Sequence, residues 1–294
     1  MPDPNAQNRP LSAAFMLLAS VFIAASTLCA KALGTEALGA PIHPLQVTFG
    51  RFLFAFIYLG TLTLIFRPAL GRPNLKLHLL RTSFGWLGVT LMFAAAARIP
   101  LGDATAISFL NPVFAMVLAV LFLSEKVGWV RWSAAAVAFL GALILLRPGA
   151  GSLQTGALFA LMAAAVLGCE IIVIKYLSGR EAPFTILLTN NAIGLTIATL
   201  TALFVWVWPD PRQWLALAGV GVFMAMAQLC YVNSLSRADA SFAVPFSYAT
   251  LVFAAIYDGV LFATWPDALS LLGAATILAG AALLAWREAR LGRA

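Results

Sequence analysis

The sequence predicts an all-α integral membrane protein, with ten transmembrane helices in two inverted five-helix repeats, and three observations predict it. The chain is 62% hydrophobic and only 10% charged, against about 45–50% and 25% in soluble domains. Its few charges are gathered between long apolar runs. A sparse set of prolines and polar residues recurs at matched places in the two halves. A soluble interior could not bury this apolar excess, whereas a bilayer accepts any helix of about 20 apolar residues.

The elements follow in order. Residues 10–30, 104–124, 148–169, 182–209, 213–236 and 268–286 contain no Asp, Glu, Lys or Arg, and each is long enough to cross. Residues 44–66, 78–97, 130–146 and 240–262 carry charge near one end, which a short or tilted helix accommodates. These ten stretches are spans 1 to 10 in chain order. The first exceeds the 7–15-residue core of a cleaved signal peptide and is read as a retained helix. Proline disrupts a helix interior, and thirteen of the fifteen prolines fall at the termini or between spans. Only Pro112 and Pro245 lie inside, on spans 4 and 9.

Placing the N-terminus in the cytoplasm assigns thirteen lysines and arginines to inner segments and four to outer ones, in agreement with the positive-inside rule. Both termini are therefore expected in the cytoplasm, with the chain multi-pass in the inner or plasma membrane. The net charge of +7 is explained by this placement and does not call for a nucleic-acid partner. Trp129, Trp132 and Trp286 flank inner ends and Trp206, Trp208, Trp214 and Trp265 outer ends, as indoles at the headgroup level do. Trp86 is the exception. Cys29, Cys169 and Cys230 sit in apolar runs without ligand spacing, so no disulfide, metal or cofactor is expected.

The internal repeat divides the chain into residues 1–150 and 151–294. Asp103-Ala104-Thr105 opens span 4 and Asp239-Ala240-Ser241 opens span 9; Lys31 closes span 1 and Lys175 closes span 6; Pro44 opens span 2 and Pro183 opens span 7. A repeat with an odd number of spans begins its second copy from the opposite side of the membrane, giving a pseudo-twofold axis in the membrane plane.

These residues resemble the drug/metabolite transporter superfamily and, within it, the EamA-type permeases. The matching pieces are Lys31 and Lys175, Arg51-Phe52-Leu53-Phe54-Ala55, and Pro112-Val113-Phe114-Ala115 leading to Leu123-Ser124-Glu125. The second half departs from the pattern, with Leu261 near the expected place of a Glu125 counterpart and Asn190 where Arg51 stands in the first half. The resemblance implies metabolite export.

Polar groups in a bilayer usually face a cavity or a partner helix. Helical spacing puts Ser20, Ala24, Thr27 and Lys31 on one face of span 1. On span 3, Trp86, Thr90 and Phe93 map onto Met224, Gln228 and Tyr231 of span 8 by a shift of 138 residues. Span 4 carries Thr105, Ser108 and Asn111 beside Pro112, and span 9 carries Ser241, Pro245 and Tyr248. The expected substrate surface is Ser20, Thr27, Trp86, Thr90, Phe93, Ser108, Asn111, Gln228, Tyr231 and Tyr248, aromatic and small polar with almost no charge. The expected gating or coupling groups are Lys31, Arg51, Pro112, Glu170, Lys175, Pro245 and Asp258. Lys31, Arg51 and Asp258 lie toward the outer side, and Glu170 lies about 10 Å from the inner end of span 6 at 1.5 Å per residue. Glu170 is the sharpest candidate for proton coupling, and protons are the candidate coupling ion.

The expected function is secondary transport, by alternating access, of small amphipathic metabolites, with export of aromatic or hydrophobic amino acids the leading substrate reading. A sugar-phosphate or nucleotide-sugar carrier would need basic residues converging in mid-membrane, and Lys31, Arg51 and Lys175 read as too near the ends. A non-transporting scaffold would have no use for matched prolines. No GxxxxGK[ST], HExxH or GxSxG sequence is present, so neither ATP drive nor catalysis is expected.

Overall fold

The computed structural model describes residues 9–68, 70–123, 128–146, 155–177, 181, 183–235, 237 and 244–291. Among them all regular structure is helical: α1 (Arg9–Gly34), α2 (Pro44–Phe66), α3 (Leu75–Ala96), α4 (Leu101–Ser108), α5 (Asn111–Leu123), α6 (Trp129–Leu146), α7 (Thr155–Leu177), α8 (Pro183–Ala202), α9 (Pro211–Leu235), α10 (Ala249–Phe262) and α11 (Ala268–Leu291). Seven segments are long and apolar enough to cross alone, and Trp132–Leu145, Phe246–Phe262 and Ala268–Gly280 are shorter apolar helices. Together they make the ten predicted spans, because α4 and α5 are two parts of span 4.

Local chemistry sets the helix ends. Pro44 and Pro211 occupy first-turn positions, where a missing N–H costs nothing. Asp210 accepts from the Gln213 N–H at 2.8 Å while Gln213 Oε1 accepts from the Asp210 N–H at 3.0 Å, a reciprocal cap. Asn74 Oδ1 accepts from the Leu77 N–H to start α3. Arg67 and Ala263 close α2 and α10 in the left-handed region, at φ 45° and 54°, where helices commonly stop.

Span 4 differs from the simple kink the sequence predicts. Pro112 has no N–H to give the Ser108 carbonyl, and the helix breaks there. The Phe109 N–H reaches Ala106 O at 3.1 Å and the Leu110 N–H reaches Ile107 O at 3.0 Å before the ladder resumes from Leu110. This is a one-turn tightening to 3₁₀ spacing. In the second half, Pro245 lies in the 3₁₀ turn Val244–Tyr248 that leads into α10.

The inverted symmetry is visible in which helices touch. α1 packs along α9, and α3 along α7; α1 crosses α10, and α5 crosses α7; α2 pairs with α8, and α6 with α11. Exchanging the halves turns each of the first two contacts into the other, does the same for the second two, and maps the last two onto themselves. Small residues allow the close approaches on which membrane helices depend. A Cβ added at Gly141 would stand 2.7 Å from the Gly273 carbonyl oxygen, and one at Gly280 would stand 2.5 Å from Ala138 N. The α6–α11 backbones are therefore in contact. Serine hydroxyls join the halves elsewhere: Ser12 and Ser234 exchange bonds to each other's carbonyls at 2.9 and 2.8 Å, and Ser26 donates to Val220 O at 2.8 Å. Outward-facing side chains such as Leu64, Phe66, Leu215 and Val260 are left exposed, as a lipid-facing surface requires.

Candidate functional site: a cavity between the repeats

A cavity of about 440 Å³ lies between the halves. It is walled by α1, α3, the α4–α5 break, α7, α9 and the turn that begins span 9, so three spans of each repeat contribute. Of the residues singled out in the sequence, Ser20, Thr27, Phe93, Ser108, Asn111, Pro112, Tyr231 and Tyr248 line it. Met16, Met92, Met224, Phe109, Leu167 and Ile171 line it too. Apolar positions carry no polar signal in sequence, although Met16 and Ile23 share the Ser20–Thr27 face of α1. Among the described residues, no Asp, Glu, Lys, Arg or His lines it.

The break in span 4 gives the cavity its polar wall. A Cβ added at Gly168 would stand 2.7 Å from Phe114 Cβ and 3.1 Å from the Asn111 carbonyl oxygen, so the glycine lets α7 hold the start of α5 in place. The Phe109 ring meets Tyr248 edge-on at 5.2 Å and 90°, joining the two breaks across the pseudo-symmetry. The hydroxyls of Thr27 and Ser108 donate to carbonyls of their own helices at 2.9 and 2.7 Å, while that of Ser20 lies between Met16 O at 3.0 Å and, across the repeats, Ser247 O at 3.3 Å and Phe246 O at 3.4 Å. Their protons are thus used internally, and their oxygens remain acceptors.

Three expected members of the surface stand apart. Thr90 shares a 2.9 Å hydrogen bond with Thr48 and donates to Trp86 O at 2.8 Å, tying α3 to α2. Trp86 and Gln228 are not among the lining residues, and their Nε1 and Oε1 atoms are buried without a hydrogen-bond partner among the described residues.

The charged groups fall into three sets. Lys31 and Asp258, both read as lying toward the outer side, form a buried ion pair. The second oxygen of Asp258 accepts from the Leu101 N–H at 2.8 Å, and the Lys31 ammonium lies 4.9 Å from the centre of the Phe262 ring. One carboxylate thus ties α1, α10 and the start of α4 together at the face opposite the chain's N-terminal helix end. Asp258 follows Pro245 by thirteen residues, as Glu125 follows Pro112. Matching Pro112 with Pro245 thus sets Asp258 opposite Glu125, where matching Asp103 with Asp239 sets Leu261. Glu125 lies outside the described residues, as do the side chains of Lys175 and Pro245.

The second set joins a basic residue of α3 to the Glu170 carboxylate. Arg81, counted with the inner-loop charges in the sequence, sits six residues inside α3 and is buried. Its Nε lies 3.3 Å from Glu170 Oε1. Arg51 is buried on α2, its guanidinium 4.4 Å from the centre of the Phe52 ring. At the amino-terminal face, Glu181 accepts from the Asn74 N–H at 2.8 Å and pairs with His78 Nε2 at 2.8 Å. Burial favours its protonated form, but the hydrogen bonds from Asn74 and His78 outweigh it and hold the carboxyl below the ordinary glutamate range.

Fold and cavity together define an inverted-repeat membrane carrier, and the comparisons with known proteins give its family. The EamA-like transporter family pattern matches residues 10–147 and again 154–286; the chain belongs to that family. It is 32% identical to a riboflavin transporter of Vibrio cholerae over 80% of this chain and 79% of that one. It is 28% identical to an S-adenosylmethionine uptake transporter of Rickettsia bellii over 93% of each. A crystal structure sharing 18% identity superimposes with a TM-score of 0.64 over 94% of this chain and 98% of that one, a likeness of fold.

Proposed function

We propose that this chain is a secondary transporter of small amphipathic metabolites that carry a ring or other hydrophobic group, working by alternating access and catalysing no reaction. The observation that carries this reading is the cavity between the inverted repeats, whose described lining is aromatic, hydroxyl-bearing and without charge. Its volume of about 440 Å³ lies in the range that holds drug-sized ligands. Phe93, Phe109, Tyr231 and Tyr248 offer ring faces, the hydroxyl oxygens and Asn111 offer polar partners, and the methionines adapt their shape to the solute.

Export of an aromatic or hydrophobic amino acid is the specific reading the sequence supports. A flavin-sized solute is the second reading, supported by the cavity's volume and by the similarity to a riboflavin transporter. In both, the units 1–150 and 151–294 rock against each other in the inner membrane with both termini cytoplasmic, and the breaks at Pro112 and Pro245 act as hinges.

Proteoliposome flux tests the proposal, using labelled L-tryptophan, L-phenylalanine, riboflavin, S-adenosylmethionine and a hexose phosphate, with and without a pH gradient. A ring-bearing solute should move with saturable kinetics. Movement of the hexose phosphate alone would replace this reading by the sugar-phosphate one.

A further inference from the structure

Arg81, Gly85 and Met92 share one face of α3, lying within about 40° of one another at 3.6 residues per turn. Met92 lines the cavity, and Gly85 and Arg81 continue its face toward the end of the bundle where α1 begins. On α7, Leu167 and Ile171 line the cavity. Glu170 is the residue before Ile171, and its carboxylate packs against the bare face of Gly85, where an added Cβ would stand 3.0 Å from Oε1. Arg51 is buried on the neighbouring α2, its guanidinium 4.4 Å from the centre of the Phe52 ring.

Among the described residues, these two guanidinium groups and one carboxylate leave one unit of positive charge in an apolar interior. Arg51 and Arg81 are 6% and 8% exposed, and Nε and Nη1 of both lack a hydrogen-bond partner among the described residues. The 3.3 Å approach of Arg81 Nε to Glu170 is an ionic contact whose geometry does not make a hydrogen bond. Uncompensated charge and unpaired donors are both costly away from water. Guanidinium groups answer that cost best with carboxylate or phosphate oxygens.

We propose that Arg51, Arg81 and Glu170 form an anion-binding subsite at the end of the cavity nearest the α1 N-terminus, receiving a carboxylate or phosphate on a solute whose ring occupies the cavity. Glu170 pairs with Arg81 and limits the subsite to one net charge, which suits a single carboxylate. This inference rests on the cavity being the transport site, and it reconciles an uncharged cavity with substrates that carry an acidic group.

The test uses the full chain and matched solutes that differ only in the anionic group: L-tryptophan against L-tryptophanamide, and riboflavin 5′-phosphate against riboflavin. Arg51→Gln and Arg81→Gln should each weaken the anionic member about tenfold or more, the scale of one lost charge-assisted hydrogen bond. The uncharged-end member should change less than about twofold. Arg81→Lys should keep most of the discrimination, and it serves where the glutamine variant does not fold. Glu170→Gln should turn the preference from carboxylate toward phosphate. Equal handling of both members by the wild type, or equal weakening of both in the variants, overturns the subsite. If no member of either pair binds, the transport reading fails. The subsite is then decided by inorganic phosphate, which should raise the melting temperature of the wild type and not of Arg81→Gln; no rise overturns it.

Discussion

At the scale of single residues, the cavity wall divides its work between hydroxyls that accept and rings that stack. Ser20, Thr27 and Ser108 spend their protons on backbone carbonyls, so in the proposed site specificity falls to Asn111 and the aromatic groups. The Phe109–Tyr248 contact crosses the two repeats, and such pairs are worth about 0.5–1.5 kcal/mol. Tyr248→Ala should therefore raise the KM for a ring-bearing solute about two- to tenfold, while Tyr248→Phe stays near the wild type; equal losses in both would assign the effect to the hydroxyl. The Glu181 carboxyl, held below its ordinary value of 4.5, makes a separate pH-dependent prediction. A depressed folded-state pKa contributes stability that is fully present above the unfolded value and is lost as pH falls through the folded one. Melting temperatures of the wild type and Glu181→Gln should thus differ by a constant amount above about pH 5 and converge as the solution is acidified below 4.5. A gap that persists in acid would show that the contacts with Asn74 and His78 do not depend on the carboxylate's charge.

At the scale of elements, the break in span 4 is the feature on which the site depends. Pro112→Ala would return an N–H to the Ser108 carbonyl, and one such hydrogen bond is worth about 0.5–1.5 kcal/mol. We expect a higher melting temperature together with a lower transport turnover, and turnover at the wild-type level would remove the break from the mechanism. The spans themselves were legible because about 20 apolar residues between charges admit one reading in a bilayer. The break was legible only as a proline, since the length of the tightened turn is settled by which carbonyls the Phe109 and Leu110 N–H groups reach. Polar members of the cavity were found by helical spacing because the 4-3-4 pattern on α1 survives folding unchanged. Thr90 was placed with them because spacing ranks residues on one helix but cannot show that Thr48 on α2 takes its hydroxyl. Arg81 falls inside the span counted from His78, but nothing in the sequence shows that its guanidinium turns to Glu170 on α7.

At the scale of the whole molecule, the inverted repeat leads to a prediction about which side is closed. The Lys31–Asp258 pair joins α1 of the first half to α10 of the second at the face opposite the N-terminal end of α1, with the Leu101 N–H on the other carboxylate oxygen. Both partners recur in the sequence: Lys175 closes span 6 as Lys31 closes span 1, and Glu125 follows Pro112 as Asp258 follows Pro245. Exchanging the shapes of the halves would therefore trade one closing pair for a chemically similar one at the other face, keeping the two conformations close in energy. Removing one partner of a buried pair typically costs 3–5 kcal/mol, enough to reverse a population that favours the closed face by a hundredfold. Thr27 lines the cavity and reports on access to it. In a background with the three native cysteines replaced by serine, Thr27→Cys should react slowly with a membrane-impermeant maleimide added at the face opposite the termini. Lys31→Met should speed that reaction at least tenfold, and the exchange Lys31→Asp with Asp258→Lys should slow it again. Asp258→Asn should fall between them, because the amide oxygen can still accept from Leu101 while the charge is gone. Labelling at the same rate in the wild type and Lys31→Met would mean that the pair braces the fold without closing the pathway.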